Sequence, residues 1–507
     1  MQRSSLLQST LDRILKARVY DVAVETSLEP APRLSQRLNA NVLLKREDTQ
    51  PVFSFKIRGA YNRIRLLNEA ERACGVICAS AGNHAQGVAM SSRKLGIKAC
   101  IVMPRTTPSI KVDAVKNLGG DVVLFGDSYQ EAQGEAERLR DEKGMVYIHP
   151  YDDPEVIAGQ GTIALEILRQ HGPEIDAVFI PVGGGGLLAG VGACLKALYP
   201  EIQIIGVEPD DAAGMTASLA AKKIVELKEV GLFADGVAVK KVGKNTFDLC
   251  QEVVDEMVTV NTDAICAAIK DVFEDTRTIL EPAGALSVAG CKAWRKNHKE
   301  GRPTLVALTC GANMNFDRLR HVAERAEFGE EREALLAVTI PEKPGSFKNF
   351  SEVLGERGIT EFNYRYARPE AAQVFVGVQV EGPDEIGALI HQLEEQDFRT
   401  LDLTGDEFAK LHLRHLVGGI APLNQPERLF RFEFPERPGA LARFLESLPA
   451  SCNITLFHYR NQGADIGRVL AGLQVPASEK GDFDRFLENL GYGFEEETGN
   501  PAAGLFL

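Results

Sequence analysis

Short apolar runs alternate with helical patterns from residue 75 to residue 310, and this rhythm constrains the fold more than any other feature of the chain. The runs are rich in β-branched residues and mostly lack polar alternation, which is typical of strands covered on both faces. Helical segments such as residues 128–143 separate them, so the pattern predicts βαβ units and a mostly parallel sheet. Ligands of such sheets bind at the carboxyl ends of the strands. The predicted strands are residues 75–80, 98–104, 121–126, 176–182, 202–209 and 303–310.

At 507 residues the chain is too long for one ordinary core, which predicts several domains. The alternation of strands and helices ends near residue 326, in the charged segment AERAEFGEERE. The tail that follows contains an internal repeat, which predicts two copies of one small α+β unit. Three pairs of segments match in the same order: residues 341–345 with 435–439, 363–365 with 458–460, and 373–380 with 468–475. The predicted domains are residues 1–325, 334–406 and 428–499.

Composition and charge exclude several classes of protein. The formal net charge is −14, whereas binding to nucleic acid or to an acidic membrane surface requires clustered positive charge, so neither partner is expected. The nine cysteines show no paired metal-ligand spacing, which favours free thiols in a reducing cytoplasm and no metal site. No apolar run is long enough to span a bilayer. The first 19 residues are mildly basic and helical, as in a transit peptide, but Asp12 argues against one.

Lys56 is the first candidate for chemistry. It lies in the segment Phe-Ser-Phe-Lys-Ile-Arg-Gly-Ala at residues 53–60, between aromatic residues and at the start of a predicted helix. Apolar surroundings and a helix N-terminus both favour the neutral amine, which is the form that attacks a carbonyl carbon. A lone lysine is more commonly a surface residue with its charge in solvent, so this segment needs the support of others.

The second segment, Ser-Ala-Gly-Asn-His-Ala-Gln-Gly at residues 80–87, lies between a predicted strand and a predicted helix. Its small residues let backbone amides approach a ligand, and the helix N-terminus favours a carboxylate there. Asn83 could donate a hydrogen bond to a phenolic or carbonyl oxygen. The alternative is a tight turn in which Asn83 has a left-handed conformation.

Four successive glycines, Gly183 to Gly186, form the third segment and again follow a predicted strand. Their amides and the following helix N-terminus can enclose a phosphate. No Lys-Ser or Lys-Thr pair follows, so the run is not a nucleotide P-loop. The spacing of Gly184, Gly186 and Ala189, with Glu208 roughly twenty residues further on, also fits a dinucleotide-binding fingerprint. From the glycines alone, NAD and a phosphate monoester remain equal candidates.

Two further segments are Thr-Cys-Gly-Ala-Asn at residues 309–313 and Glu-Pro-Ala-Gly-Ala at residues 281–285. Residues 309–313 end the last predicted strand, where a thiol or hydroxyl could meet a ring nitrogen, although a buried structural cysteine is the commoner interpretation. Glu281 precedes a predicted helix, and an interaction with the helix dipole would be enough to account for it.

Taken together, FSFKIRGA, SAGNHAQG, GGGGL and CGAN resemble the ordered motifs of fold-type II pyridoxal-phosphate enzymes, most closely the biosynthetic threonine ammonia-lyases, also called threonine dehydratases or deaminases. The duplicated tail resembles the paired ACT-like regulatory domains of that family, which separates the chain from serine racemases, cysteine synthases and threonine synthases. The resemblance implies an α/β fold: a fold-type II catalytic domain with mostly parallel sheets, followed by two α+β ACT-like regulatory domains.

The resemblance also implies a role for each motif residue. Lys56 would bind pyridoxal 5'-phosphate as an imine and, once freed by the substrate, take the α-proton. Cys310 would contact the pyridine nitrogen, where family members use Ser or Cys, and such a weak partner would leave that nitrogen largely unprotonated and favour elimination over transamination. The role of Glu281 stays open. The remaining implied contacts are Asn83 to the 3'-oxygen of the cofactor, Gly183, Gly184, Gly185, Gly186 and Leu187 to its phosphate, and Ser80, Ala81, Gly82 and His84 to the substrate carboxylate.

The implied activity converts L-threonine to 2-oxobutanoate and ammonia, the first committed step of isoleucine biosynthesis. Isoleucine is the expected inhibitor and valine an expected antagonist, and a cytoplasmic homotetramer is the expected assembly. Within the enzyme class, L-serine as the preferred substrate, racemisation and β-replacement remain alternatives. An amino-acid sensor built on an inactive catalytic scaffold is another, against which the intact Lys56 argues. The tail could also serve oligomerisation alone.

Overall fold

The structure is a computed structural model that describes residues 4–329, 332–341, 346–355, 357–365, 371–413, 427–435, 443–444, 447–449, 452–460 and 466–506. The chain divides into two compact units, Met1–Phe316 and Asp317–Leu507. The domain limits expected from the sequence stay predictions. Within the described ranges, every helix is too short or too polar to cross a membrane.

The first unit contains two sheets. Its strands are β1 (Leu28–Pro30), β2 (Asn41–Lys45), β3 (Val76–Ala79), β4 (Ala99–Met103), β5 (Asp121–Leu124), β6 (Val146–Tyr147), β7 (Ala177–Pro181), β8 (Gln203–Pro209), β9 (Glu256–Val260) and β10 (Thr304–Leu308). The larger sheet has the order β1-β2-β10-β7-β8-β9, and all its pairs are parallel except β1 with β2. The smaller sheet, β5-β4-β3-β6, is fully parallel. All six strands predicted from the apolar runs are therefore confirmed.

Helices alternate with these strands as the sequence predicts. They are α1 (Ser5–Lys16), α2 (Pro32–Leu38), α3 (Lys56–Arg65), α4 (Glu69–Cys74), α5 (Asn83–Leu95), α6 (Ser109–Asn117), α7 (Tyr129–Lys143), α8 (Pro154–His171), α9 (Gly186–Leu198), α10 (Gly214–Ala221), α11 (Lys244–Val253), α12 (Thr262–Thr276) and α13 (Pro282–Asn297). Their ends follow ordinary capping rules. The side chain of Ser128 accepts a hydrogen bond at the start of α7 and Glu131 completes the capping box, while Asp153 and Pro154 begin α8.

Both faces of the larger sheet are covered, which explains its unalternated apolar strands. In β7, Val178 and Ile180 pack in a core with Leu188 of α9. Phe179, which points to the other face, contacts Trp294 of α13 with ring centroids 5.6 Å apart. A strand with helices on both faces has no polar side, so every position favours an apolar residue.

The second unit contains two four-stranded antiparallel sheets of the same topology. Its strands are β11 (Glu333–Pro341), β12 (Ile359–Arg365), β13 (Ala371–Gln379), β14 (Arg399–Asp402), β15 (Glu427–Pro435), β16 (Asn453–Arg460), β17 (Ile466–Gln474) and β18 (Gly493–Glu496). Their orders are β12-β13-β11-β14 and β16-β17-β15-β18. The accompanying helices are α14 (Arg318–Gly329), α15 (Ser346–Leu354), α16 (Pro383–Glu395), α17 (Glu407–Leu411), α18 (Lys480–Leu490) and α19 (Pro501–Phe506).

Matching details confirm the internal repeat. Each copy has a register shift at the equivalent point of its edge strand, between Ile359 and Glu361 and between Ile454 and Leu456. The repeated Pro-Gly turns, residues 341–345 and 435–439, lie outside the described residues apart from their first prolines. Side chains repeat as well: Thr404 Oγ1 accepts from the Leu335 amide at 3.1 Å, and Thr498 Oγ1 accepts from the Leu429 amide at 3.0 Å.

Candidate active site

Lys56 is the first residue of α3, and the chain reaches it through a constrained turn. Phe53 has a φ of 54°, a left-handed conformation that is rare for a bulky residue and is a mark of functional sites. Its carbonyl accepts from the Ala312 amide at 2.9 Å, and Ser54 forms a bridge with Gly311. The turn thus fastens the lysine segment to the segment that carries Cys310.

The surroundings of Lys56 favour its neutral amine. Its Nζ donates to the Pro150 carbonyl at 2.9 Å and lies 5.3 Å from the centroid of the Phe55 ring. The side chain keeps part of its surface exposed, yet the protein around it removes enough water to lower the pKa of Lys56 to about 8, against the opposing effects of Cys310 and Glu281. An appreciable fraction of the amine is therefore unprotonated near neutral pH.

Residues 80–82 join β3 to α5, and α5 packs against α3, the helix that begins with Lys56. A Cβ at Gly87 of α5 would lie 3.2 Å from the backbone of Lys56, so glycine permits the close approach of the two helices. The Gly82 amide donates to Ser80 Oγ at 3.3 Å. Asn83 is the first helical residue of α5, which excludes the left-handed turn that the sequence left open.

Asn83 belongs to a chain of hydrogen bonds that joins three loops. Its Nδ2 donates to Glu281 Oε1 at 2.6 Å, and its Oδ1 accepts from Asn313 Nδ2 at 2.7 Å. Burial raises the pKa of Glu281 to about 7, with the charge of Asp235 acting in the same direction. A Cβ at Gly311 would lie 2.3 Å from Glu281 Oε1, so the glycine after Cys310 makes room for this carboxylate. Glu281 is therefore a member of the site and does more than precede a helix.

His84 is buried, and its pKa is lowered to about 3 by burial and by the charge of Lys56. It is therefore neutral, and its Nε2 lies 2.8 Å from the Ile148 carbonyl, which requires the proton on that nitrogen. Nδ1 is buried and has no partner among the described residues. A neutral ring turned toward Ile148 brings no positive charge to a substrate carboxylate, so the helix-end amides remain the donors for that group.

The glycine loop follows β7 and begins α9. Gly185 has a φ of +93°, and a Cβ there would lie 2.6 Å from Met215 Cε. A Cβ at Gly184 would lie 2.2 Å from Tyr151 Cγ. The carbonyl of Gly184 accepts from Thr246 Oγ1 at 2.7 Å, which holds the turn in place. Side chains are excluded here by the surrounding protein itself.

The amides of this loop fit an anion. Within the described part of the chain, those of Gly183, Gly184 and Gly185 donate to no protein acceptor, and the first amides of α9 are free by helix geometry. Such a set of donors at a helix N-terminus suits a phosphate dianion. Glu208, which a dinucleotide fingerprint would need for a ribose hydroxyl, is buried and accepts from the Met215 amide, the Thr216 amide and Thr216 Oγ1 at 2.7 to 2.8 Å. Its occupied oxygens argue against NAD.

The segment at residues 149–152 contacts Lys56 and the glycine loop, and the sequence did not identify it as part of the site. Pro150 accepts from Lys56, and the Tyr151 ring covers Gly184. Asp152 accepts from the amides of Lys244, Asn245 and Thr246 at the start of α11, the helix that supplies the Thr246 hydroxyl. The segment His-Pro-Tyr-Asp-Asp carries Tyr and Asp directly before a proline-initiated helix, and this was the signal available in the sequence.

Cys310 follows β10 and is buried, with its thiol donating to the Ala283 carbonyl at 3.3 Å. Burial raises the pKa of Cys310 well above its usual value, and Glu281 acts in the same direction. The thiol is therefore neutral. A largely desolvated amine, a set of free amides and a neutral thiol together fit an aldehyde-bearing phosphate ester with a ring nitrogen.

Comparison with known proteins gives a consistent result. The family described as "Pyridoxal-phosphate dependent enzyme" matches residues 19–311, and the "C-terminal regulatory domain of Threonine dehydratase" matches residues 324–413 and 419–507. The biosynthetic L-threonine dehydratase of Burkholderia multivorans is 59% identical over 98% of this chain and 99% of the relative, and that of Escherichia coli is 52% identical over 98% and 96%. The processed form of threonine deaminase isoform 2 from Solanum lycopersicum has a TM-score of 0.63 and 54% identity over 64% of this chain and 89% of that structure.

Proposed function

The chain belongs to the family of pyridoxal-phosphate-dependent biosynthetic threonine dehydratases, and from this premise we propose which of its residues carry the reaction. The enzyme is a lyase that converts L-threonine to 2-oxobutanoate and ammonia. The observation that carries the assignment of residues is the partly neutral amine of Lys56, in a segment that is bridged to the segment of Cys310, together with the free amides of the glycine loop.

Lys56, Asn83 and the glycine loop hold the cofactor. Lys56 would bind the aldehyde carbon, and Asn83 Nδ2, which has one hydrogen left after its bond to Glu281, would donate to the 3'-oxygen. The cofactor phosphate would accept from the amides of Gly183, Gly184, Gly185, Gly186 and Leu187. When bound, pyridoxal phosphate supplies an electron sink that makes the α-proton of an amino acid acidic.

Proton transfer belongs to Lys56. With a pKa of about 8, its amine can take the α-proton of threonine near neutral pH without an additional base. Cys310 would contact the pyridine nitrogen as a neutral thiol, so it would add neither a charge nor an acidic proton there. This arrangement favours loss of the β-hydroxyl as water over transamination.

The substrate carboxylate lies at the start of α5. Ser80, Ala81, Gly82 and His84 surround it, and the amides at this helix end are its donors. Ser80, Ala81 and Gly82 are partly exposed, so substrate can reach them.

Substrate assays with the purified protein test this function. Formation of 2-oxobutanoate from L-threonine is expected, with a kcat/KM for L-serine at least about tenfold lower, because the additional methyl group of threonine gains contact energy of about 1 to 3 kcal/mol in a fitted pocket. Accumulation of D-serine from L-serine without 2-oxo acid would instead make the chain a racemase. Absence of turnover with bound cofactor would make it a sensor on an inactive scaffold.

Isoleucine is the proposed inhibitor and valine the proposed antagonist, and both act through the second unit. Two copies of the regulatory fold, at residues 324–413 and 419–507, support this proposal. A ligand of this unit can change turnover only if it binds more tightly to one conformational state than to another.

A cytoplasmic homotetramer is the proposed form of the enzyme. The nine cysteines, all of which lie in the described ranges, form no disulfide, and this supports a location in a reducing compartment. Sedimentation equilibrium of the purified protein tests the assembly, since a tetramer has four times the chain mass of 55.3 kDa.

A further inference from the structure

Four charged side chains form a fully buried cluster at the first turn of α3: Lys45, Glu47, Arg58 and Glu166. Arg58, two residues after Lys56, binds Glu47 through Nε at 2.8 Å and Nη2 at 2.7 Å. It also binds Glu166 of α8 through Nη1 at 2.6 Å and Nη2 at 2.9 Å, and Lys45 Nζ lies 2.7 Å from the same carboxylate. All four side chains have no exposed surface.

Stability alone gives a poor account of this cluster, because removing charges from water is costly and well-packed apolar residues of the same size are often as stable. Its geometry is what distinguishes it. Two bidentate pairs fix the plane and position of the Arg58 guanidinium, and hence the first turn of α3 that carries Lys56. Glu47 has no freedom of its own, since Thr26 Oγ1 donates to it at 2.6 Å and Gln50 Nε2 donates to it at 3.1 Å.

The residue after Glu47 holds the other side of the site. The Asp48 amide donates to the Thr309 carbonyl at 2.9 Å, and Asp48 Oδ1 accepts from Thr309 Oγ1 at 2.6 Å. Arg46 in turn binds Asp48 through Nη2 at 2.8 Å. Thr309 directly precedes Cys310, so adjacent residues of one short 3-10 turn, Glu47–Thr49, are tied to the lysine helix and to the cysteine strand end.

We propose that Glu47 and Asp48 are positioning residues that set the separation of Lys56 and Cys310. This inference rests on the proposed function, in which Lys56 and Cys310 contact opposite ends of one pyridine ring. The ring is rigid, and a productive site tolerates displacements of only about 0.5 Å. A turn tied at both ends keeps the two groups at the spacing that the ring requires.

Cofactor binding to the purified, cofactor-stripped full-length protein tests the proposal through two independent ties. Glu47→Gln keeps the shape of the side chain but loses half of the bidentate bond to Arg58. Thr309→Val removes one hydroxyl from Asp48, and Thr309→Ser restores it. Asp271→Asn is the control, because Asp271 is also buried and ion-paired, with Lys292 at 2.6 Å and with Arg37, but it lies on α12 and outside the network.

We expect E47Q and T309V to raise the dissociation constant of pyridoxal phosphate at least about tenfold, and to lower kcat about tenfold with the KM for threonine changed less than about threefold. T309S should restore most of the affinity, and D271N should bind cofactor as the wild type does. Thermal unfolding of the cofactor-free proteins separates the loss of cofactor affinity from general destabilisation. We expect D271N to be destabilised as E47Q and T309V are, but to keep its affinity. T309V carries the test alone if E47Q does not fold.

Two results would overturn the proposal while the proposed function stands: wild-type cofactor affinity in both E47Q and T309V, or an equal loss of affinity in D271N. A wild-type protein that retains no pyridoxal phosphate would overturn the proposed function and the inference together.

Discussion

Lys56 must be an uncharged amine before it can attack an aldehyde, and desolvation by the surrounding protein is the main cause of its low pKa. The lysine was predictable from the sequence because aromatic neighbours and a helix start surround it within four residues. Glu47, Arg58 and Glu166 were not predictable as a cluster, because 11 and 108 positions separate Arg58 from its two partners and only the fold brings them together. Local patterns identify a reactive group, but they do not reveal distant residues that hold it.

The pH dependence of Lys56 is the first prediction. Its pKa is lowered from 10.5 in the unfolded chain to about 8 in the folded protein. The contribution of Lys56 to the free energy of unfolding is therefore most favourable above pH 10.5, where the amine is neutral in both states, and is lost as the pH falls from 10.5 through 8. In the cofactor-free protein, acylation of Lys56 should rise with pH with a midpoint near 8. Glu281→Gln should move that midpoint downward, because the Glu281 carboxylate raises the pKa of Lys56. Quantitative mass spectrometry of the peptide that contains Lys56 measures the acylated fraction at each pH and hence the midpoint.

Asp271→Asn serves as the control for this experiment and should leave the midpoint unchanged. A midpoint near 10.5 in the wild type would show that the amine is solvated like a surface lysine. An unchanged midpoint in E281Q would remove Glu281 from the electrostatics of the site.

At the scale of elements, the six strands that apolar runs predicted are present, and the loops that end β3, β7 and β10 carry the candidate site. The strand pattern did not reveal that these belong to two sheets, because alternation fixes the order of elements along the chain but not their neighbours in space. Four strands of the first unit escaped notice for local reasons. β6 has two residues, β9 has Glu and Thr among its five, and β1 and β2 lie before the start of the alternation.

The glycine loop provides the second prediction. Gly184→Ala should weaken binding of pyridoxal phosphate at least about tenfold, because its Cβ would lie 2.2 Å from Tyr151 Cγ and overpacking of this kind costs about 1 to 3 kcal/mol. Gly214→Ala is the control, since the nearest atom to its Cβ is 3.6 Å away. Equilibrium titration of the cofactor into stripped protein measures both.

The double variant G184A/Y151A identifies the cause of that loss. If the Tyr151 ring is the obstacle, removing it should restore part of the cofactor affinity. If affinity stays low in the double variant, the Cβ obstructs the phosphate itself. Wild-type affinity in G184A would show that the loop has more room than the structure indicates.

At the scale of the whole molecule, the internal repeat was predictable because two copies of one fold share turns and strands in the same order. The antiparallel topology and strand order were not predictable, because matching segments show that the two copies are similar but not which strands pair within each copy. A core shared by both copies, with Leu335, Phe375, Leu429 and Leu470 among its members, was also invisible in the sequence. Apolar residues on the second face of each sheet meet there, so the copies form one unit.

Truncation tests the role of that unit and is the third prediction. A chain that ends after about residue 325 should keep threonine turnover and lose inhibition by isoleucine. Titration of isoleucine against initial rates of both proteins measures the effect. If the intact, fully active enzyme shows neither binding of isoleucine nor a response to it, the sensing role is wrong, and the tail would then serve assembly.

The central claim is that Lys56 holds pyridoxal phosphate in a threonine dehydratase, and covalent mapping tests it most directly. Borohydride converts an imine between a lysine and this cofactor into a stable amine, which peptide mass spectrometry can locate. The purified wild-type protein should carry one pyridoxyl group, on Lys56 within the sequence FSFKIR, and Lys56→Ala should carry none and turn over no threonine. A pyridoxyl group on any other lysine of the wild type, or unimpaired turnover in K56A, would contradict the account.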